Sequence, residues 1–244
     1  MGYGVVRGTV RFFRLVWRGI RDLFDQILPF ALYSILWWLC VVLIVPGPPA
    51  TVTLFAMCDP RRRISQPEFN EAVALFKATF LRSWKVALVT VPFVAILAWN
   101  LIFFSGTDHV LIALVPLWMI MFVILFVLTH FAFSVAALME SGPRNALRGA
   151  MFVLVSRPFS GIALSLFLMV IGSVLAVMVL PMALFGPALM ACIVNRFVLD
   201  GLGVPVIDPD APTDERQDER ERGVNPDPTL LSRLRGGKRA ERTS

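Results

Sequence analysis

Among the polar side chains inside long, largely apolar runs, five stand out: Thr51, Thr53, Asn100, His130 and Asn195. Polar groups surrounded by hydrocarbon are costly and often mark a path or a ligand site. They also hold helices together. These five are the candidate binding residues. Catalysis would need placed acids, a His-activated nucleophile or a metal cluster. No long charge-free run contains a carboxylate, and the two histidines, His109 and His130, stand far apart in sequence. Asp108-His109 could begin a metal site, but no third ligand is near. The cysteines, Cys40, Cys58 and Cys192, form no C-x-x-C pair and are odd in number, which predicts neither a zinc site nor a disulfide framework. The residues therefore point away from an enzyme and call for no cofactor and no metal.

The runs that hold those five residues define the chain. Hydrophobic residues make up 57% of the 244, charged residues only 16%, and mean hydropathy is +0.73. A soluble domain carries about 25% charged residues. Residues 26–58, 86–107, 109–139 and 158–195 contain no Asp, Glu, Lys or Arg. A bilayer span needs roughly 20 such residues. The expected fold is all-α: a polytopic helical membrane protein with about five to six membrane segments, interfacial amphipathic helices and a charged tail. Three regions follow: 1–25, an interfacial helix; 26–204, the membrane domain; 205–244, a tail. Residues 206–244 hold 9 acidic and 8 basic residues and almost no large apolar groups, a composition that predicts a disordered cytoplasmic tail.

Arg7, Arg11, Arg14, Arg18 and Arg21 recur at steps of three and four, which places them on one helical face. Such a helix lies on a membrane with its guanidinium groups at anionic headgroups. Nucleic-acid binding, the competing reading of an Arg row, fits poorly beside an apolar run. Residues 27–45 read as the first span, too long for a secretory signal core. Pro46-Gly47-Pro48-Pro49 stops it, and a short limb restarts over 50–58, with helix-start N–H groups at Thr51, Val52 and Thr53. Ser65-Gln66-Pro67-Glu68 is a capping-box pattern before a second interfacial helix. Spans are predicted over 86–104, 110–138 and 159–180. Pro181 and Gly186-Pro187 predict a second break before 188–199. Lys and Arg favour the cytoplasmic side. The fifteen basic residues before the tail fit both termini inside if 27–58 is a hairpin with a short or re-entrant second limb; the rival is five full crossings.

Leu36-Trp37-Trp38-Leu39-Cys40, Pro46 to Thr51 with Leu54, and Glu68-Phe69 followed by Phe76-Lys77 and Phe80 resemble the YesL-like family of bacterial integral membrane proteins, whose function is unassigned. The resemblance covers roughly residues 25–200. The break carries an extra proline, Glu68 stands where the family has Asp, and the tail is additional. The resemblance implies a bacterial plasma membrane protein associated with carbohydrate uptake. Two functions are therefore expected: a non-catalytic accessory or assembly factor that docks a membrane transporter or other membrane protein; or a small-solute or ion conduit that uses the two helix breaks.

Overall fold

A computed structural model describes residues 2–62, 69–105 and 115–206, with side chains from residue 9 onward except at 105. Among these residues every regular element is helical. In order they are α1 (Gly2–Asp25), α2 (Ile27–Val42), α3 (Gly47–Met57), a 3-10 turn (Pro60–Arg62), α4 (Phe69–Ser105), α5 (Val115–Leu138), α6 (Pro143–Ser156), α7 (Pro158–Val177) and α8 (Val179–Gly201). Four of them, α4, α5, α7 and α8, are long and apolar enough to cross a membrane; the number rises to five if α1 and α2, bent by 94° at Gln26, count as one span. This is the architecture of a polytopic helical membrane protein.

Several boundaries differ from the sequence reading. The helix over 69–82 and the span over 86–104 are one helix, α4, of 37 residues. At about 1.5 Å per residue it is some 55 Å long, well beyond a hydrocarbon core of about 30 Å. Thr79, Ser83 and Thr90 each turn the hydroxyl back onto the carbonyl four residues earlier. Their polar groups are therefore satisfied along the helix, and the charged half flows into the apolar half without a break.

The second break also lies elsewhere. α7 ends at Val177, and α8 then runs continuously through Gly186-Pro187, with Pro187 inside it. Pro181 falls in the first turn of α8, where the missing N–H has no intrahelical partner to lose. The last uncharged run is thus two long helices, not a span followed by a short limb. The capping-box pattern, the 105–109 turn beyond Ser105, Asp108-His109 and the tail from 207 onward lie outside the described residues.

The first break opens earlier than expected. α2 stops at Val42, residues 43–46 form the turn with Ile44 at φ 60°, and α3 starts at Gly47 rather than at residue 50. α3 is buried along nearly its whole length, with Gly47, Pro49, Ala50 and every residue from Val52 to Met57 inside the protein. It packs among α2, α4 and α5. A helix that is apolar all round belongs in a core, so the short limb is a core element.

The molecule divides into two units, 1–198 and 199–244. The described part of the second is the end of α8 and its cap. Gly203, at φ 69°, lets Val204 N–H reach Leu199 O (2.9 Å) and Gly203 N–H reach Asp200 O (3.3 Å). That double bond pattern closes a helix C-terminus around a left-handed residue.

In the first unit α1 presents three faces. Val10, Phe13, Trp17 and Phe24 are exposed; Leu15, Val16, Asp22 and Leu23 are buried; the arginine row lies between them. On the buried side Phe12 meets Phe197 and Phe167, with ring centroids 5.3 and 6.0 Å away. A Cβ on Gly19 would stand 2.8 Å from Ile193 Cα, so α1 and α8 cross backbone to backbone there. Gly19→Val is expected to destabilise the fold by about 1–3 kcal/mol, the usual cost of overpacking. Gly142→Ala, where a Cβ meets nothing within 4 Å but the residue caps α6, should cost no more than about 1 kcal/mol. Thermal unfolding of both variants in the same detergent checks this pair.

Candidate functional site

The structure gathers the chemistry-bearing groups around the two ends of α3. At its start the sequence leaves almost nothing to satisfy. Pro48 and Pro49 have no N–H, Gly47 N–H donates to Ile44 O (3.0 Å), and Ala50 N–H donates to Pro46 O (2.9 Å). Because the helix begins at Gly47, Thr51 is its fifth residue. Thr51, Val52 and Thr53 are therefore past the first turn, and the free N–H groups expected there from the sequence do not arise. Two prolines at the first turn remove the donors that helix geometry would strand.

At the far end α8 supplies the partners. Asn195, fully buried, donates both amide protons to the end of α3: one to Phe55 O (2.8 Å) and one to Cys58 O (2.9 Å). Its Oδ1 accepts from Ser134 Oγ of α5 (2.7 Å), itself fully buried. Cys58 N–H bonds Leu54 O (2.9 Å), and the Cys58 thiol points at Ala188 O (3.8 Å). One side chain thus ties α3, α5 and α8 together.

The neighbouring residue does the same for α1. Arg196 grips Asp22 bidentately, Nε to Oδ2 at 2.7 Å and Nη2 to Oδ1 at 2.8 Å, and both residues are buried. Paired guanidinium and carboxylate in this fork geometry are strong and orientation-specific. Asp59 holds Arg61 in a second such pair, and Arg61 Nη2 also donates to Leu138 O (3.0 Å) at the end of α5. Arg82 donates to Glu140 O (2.7 Å) just beyond it. Both cations sit where a helix terminus exposes unpaired carbonyls and partial negative charge. Arg62 pairs with Glu71 of α4.

The five polar candidates do not form one site. Asn195 is committed to α3 and α5. Thr51 Oγ1 donates to Gly47 O and accepts from Trp37 Nε1, both at 2.9 Å, which pins the start of α3 to α2. His130 Nδ1 bonds Phe126 O (2.8 Å) within α5, and its ring lies on that of Phe126. Asn100 is half-buried on the distal part of α4, about 36 Å along the helix from Phe76. Thr53 lines a cavity. Its hydroxyl is enclosed and has no hydrogen-bond partner.

That cavity is an apolar furrow of about 220 Å³. Its walls are three stripes with one helical spacing: Tyr33, Leu36, Trp37 and Cys40 on α2; Ala50, Thr53, Leu54 and Met57 on α3; Phe69, Ala72, Val73 and Phe76 on α4. A polar cavity shared by Thr51, Thr53 and Asn100 is not what the helices build. A second, water-sized hollow of about 20 Å³ lies at the other end of α3, beside Asp22, Asp59, Glu71 and Cys192. No set of three or more His, Cys, Asp or Glu among the described residues is arranged to hold a metal ion.

Of the five lipid-surface arginines, Arg14 and Arg21 are exposed, Arg11 and Arg18 half-buried, and the side chain of Arg7 lies outside the described residues. Sequence reasoning missed Asp22, Asp59 and Ser134. Asp22 sits within a helical turn of Arg18 and Arg21, but its partner Arg196 lies 174 residues away, beyond any local pattern. Comparison with protein-family models, curated proteins and solved structures gives no match.

Asn195→Ala strands two buried acceptors, each expected to cost about 1–3 kcal/mol. Asn100→Ala should cost less than about 0.5 kcal/mol. Asp22→Ala leaves a buried guanidinium without its partner and should cost about 3–5 kcal/mol, whereas Asp22→Leu combined with Arg196→Met should recover much of that loss. Unfolding midpoints of the four variants in one detergent, together with the Asp22→Leu and Arg196→Met single variants that complete the cycle, give the coupling directly.

Proposed function

We propose that this chain is a non-catalytic integral membrane protein that acts as an accessory or assembly factor for another membrane protein, in a context of solute uptake. The observation that carries this reading is how the polar groups are used. Asn195, Ser134, Thr51, Asp22, Arg196, Asp59 and Arg61 all bond other parts of the protein, and His130 bonds its own helix. Groups so spent hold helices in place, and a conduit needs such groups to face a passage. The Pro-Gly-Pro-Pro break, which motivates the conduit reading, leaves no first-turn N–H of α3 without a partner. The furrow it borders is apolar. The link to uptake, to carbohydrate and to a bacterial plasma membrane comes from the YesL-like resemblance of residues 36–80.

The proposed topology has α4, α5, α7 and α8 as the crossings and α2–α3 as a hairpin that returns to its side of entry. An even number of crossings places both termini together. It also puts the basic residues of α1, of 61–85, of 142–157 and Arg196 on one side, the cytoplasmic one. The exposed arginines of α1 then rest on anionic headgroups, each worth on the order of 1 kcal/mol.

Cysteine labels test the topology. In a background in which the native cysteines are changed to Ala, Gly106→Cys is expected to react from outside intact cells, and Arg62→Cys and Gly142→Cys only after permeabilisation. Outside reactivity at position 62 would give a fifth crossing. For the function, mild-detergent purification from the native membrane should recover a stoichiometric membrane-protein partner. Solute flux in proteoliposomes holding this chain alone would overturn the accessory role.

A further inference from the structure

The furrow holds about 220 Å³ and is open to the outside along part of its length. For comparison, an apolar cavity of about 150 Å³ takes up benzene. The furrow is not a packing accident at one residue. Three helices each turn an i, i+3, i+4, i+7 stripe toward it, and the small side chains Ala50 and Ala72 sit where larger ones would close it.

Its position says what fits. Along α2 the outward stripe is Leu28, Leu32, Ile35, Leu39 and Val42, all exposed and all apolar. That surface requires hydrocarbon beside it. Along the adjoining half of α4 the exposed positions include Glu71, Lys77 and Lys85, which require water or headgroups. The furrow lies between these two helices, on α3, with the 55% exposed Phe69 among its lining residues. Thr53 lines the furrow, and its hydroxyl, enclosed behind the wall, lacks any partner in the protein. A ligand for this place has a hydrocarbon chain, a hydrogen-bond acceptor near the top of that chain, and a polar head.

We propose that the α2–α3–α4 furrow binds one acyl chain of a membrane phospholipid, with its ester carbonyl accepting from Thr53 and its headgroup on the Lys77 side of α4. A turn of the Thr53 side chain between its helix-compatible rotamers brings the enclosed hydroxyl to the carbonyl. The furrow is a lipid site in its own right and does not depend on the accessory role proposed above.

The test uses the full chain in nanodiscs containing a phospholipid with a photoactivatable diazirine on one acyl chain. Label is expected on Leu36, Cys40, Ala50 and Val73, inside the furrow, and also on Leu32 and Ile35, on the outer face of α2. Ala72→Leu, which fills the furrow, should cut the furrow label at least fivefold and leave the outer label unchanged. Ala50→Leu is the second filling variant, used if the first fails to match the wild-type melting temperature. Excess unlabelled phospholipid should compete; competition by free fatty acid alone would assign the site to a free acid and overturn the phospholipid. Thr53→Val should weaken competition by diacyl lipid several-fold and spare competition by ether-linked lipid, which has no ester carbonyl. Absence of furrow label on the wild type overturns the proposal, whatever fills the space instead, whether a second copy or residues 63–68 of the same chain.

Discussion

A short helix can be buried among other helices only if both of its ends are satisfied without water. α3 meets that constraint by two different means. At its start, Pro48 and Pro49 delete the donors that would be stranded, and Gly47 and Ala50 find carbonyls in the turn before it. At its end, the carboxamide of Asn195 supplies the donors that the last carbonyls need. The rest of the molecule depends on this arrangement. With α3 held inside, α2, α4 and α5 have a surface to pack on, and Ser134 is drawn into the same node. The next residue on α8 then locks α1 through Asp22, so two consecutive side chains fasten helices from opposite ends of the sequence.

The arginines divide into two kinds of work. The exposed members of the α1 row face outward beside Phe13 and Trp17, as an interfacial helix requires. Arg61 and Arg82 instead bond the protein itself, at the carbonyls at and beyond the end of α5. Counting positive charge gives the same side for both kinds. It cannot separate the cation that touches lipid from the cation that caps a helix.

How much could be read from residues alone follows from which interactions are local. Long charge-free runs marked the membrane helices, because hydrocarbon thickness acts on every residue in the run. The spacing of the arginines by three and four residues marked α1. Proline was less informative. Pro46 to Pro49 ends a helix, whereas Pro92 and Pro187 lie inside α4 and α8. Three prolines in four positions exclude a continuous helix where a single proline does not. Asn195 stood out as a buried amide, but its targets are backbone carbonyls 137 and 140 residues away, which have no sequence signature. The furrow was invisible for a related reason: it is a place where three ordinary apolar stripes fail to meet.

The central claim is that α3 is a core helix clamped by α8, and amide hydrogen exchange on the full chain in nanodiscs addresses it most directly. The account predicts that amides of Val52 to Met57 exchange as slowly as those of Phe131 to Ala136 and Ala191 to Val194, the most buried parts of α5 and α8. It further predicts that Asn195→Ala accelerates exchange in α3 while leaving the apolar half of α4 unchanged. Exchange in wild-type α3 as fast as in the exposed turn at 43–45 would contradict it, since a limb lying at the membrane surface would behave in that way.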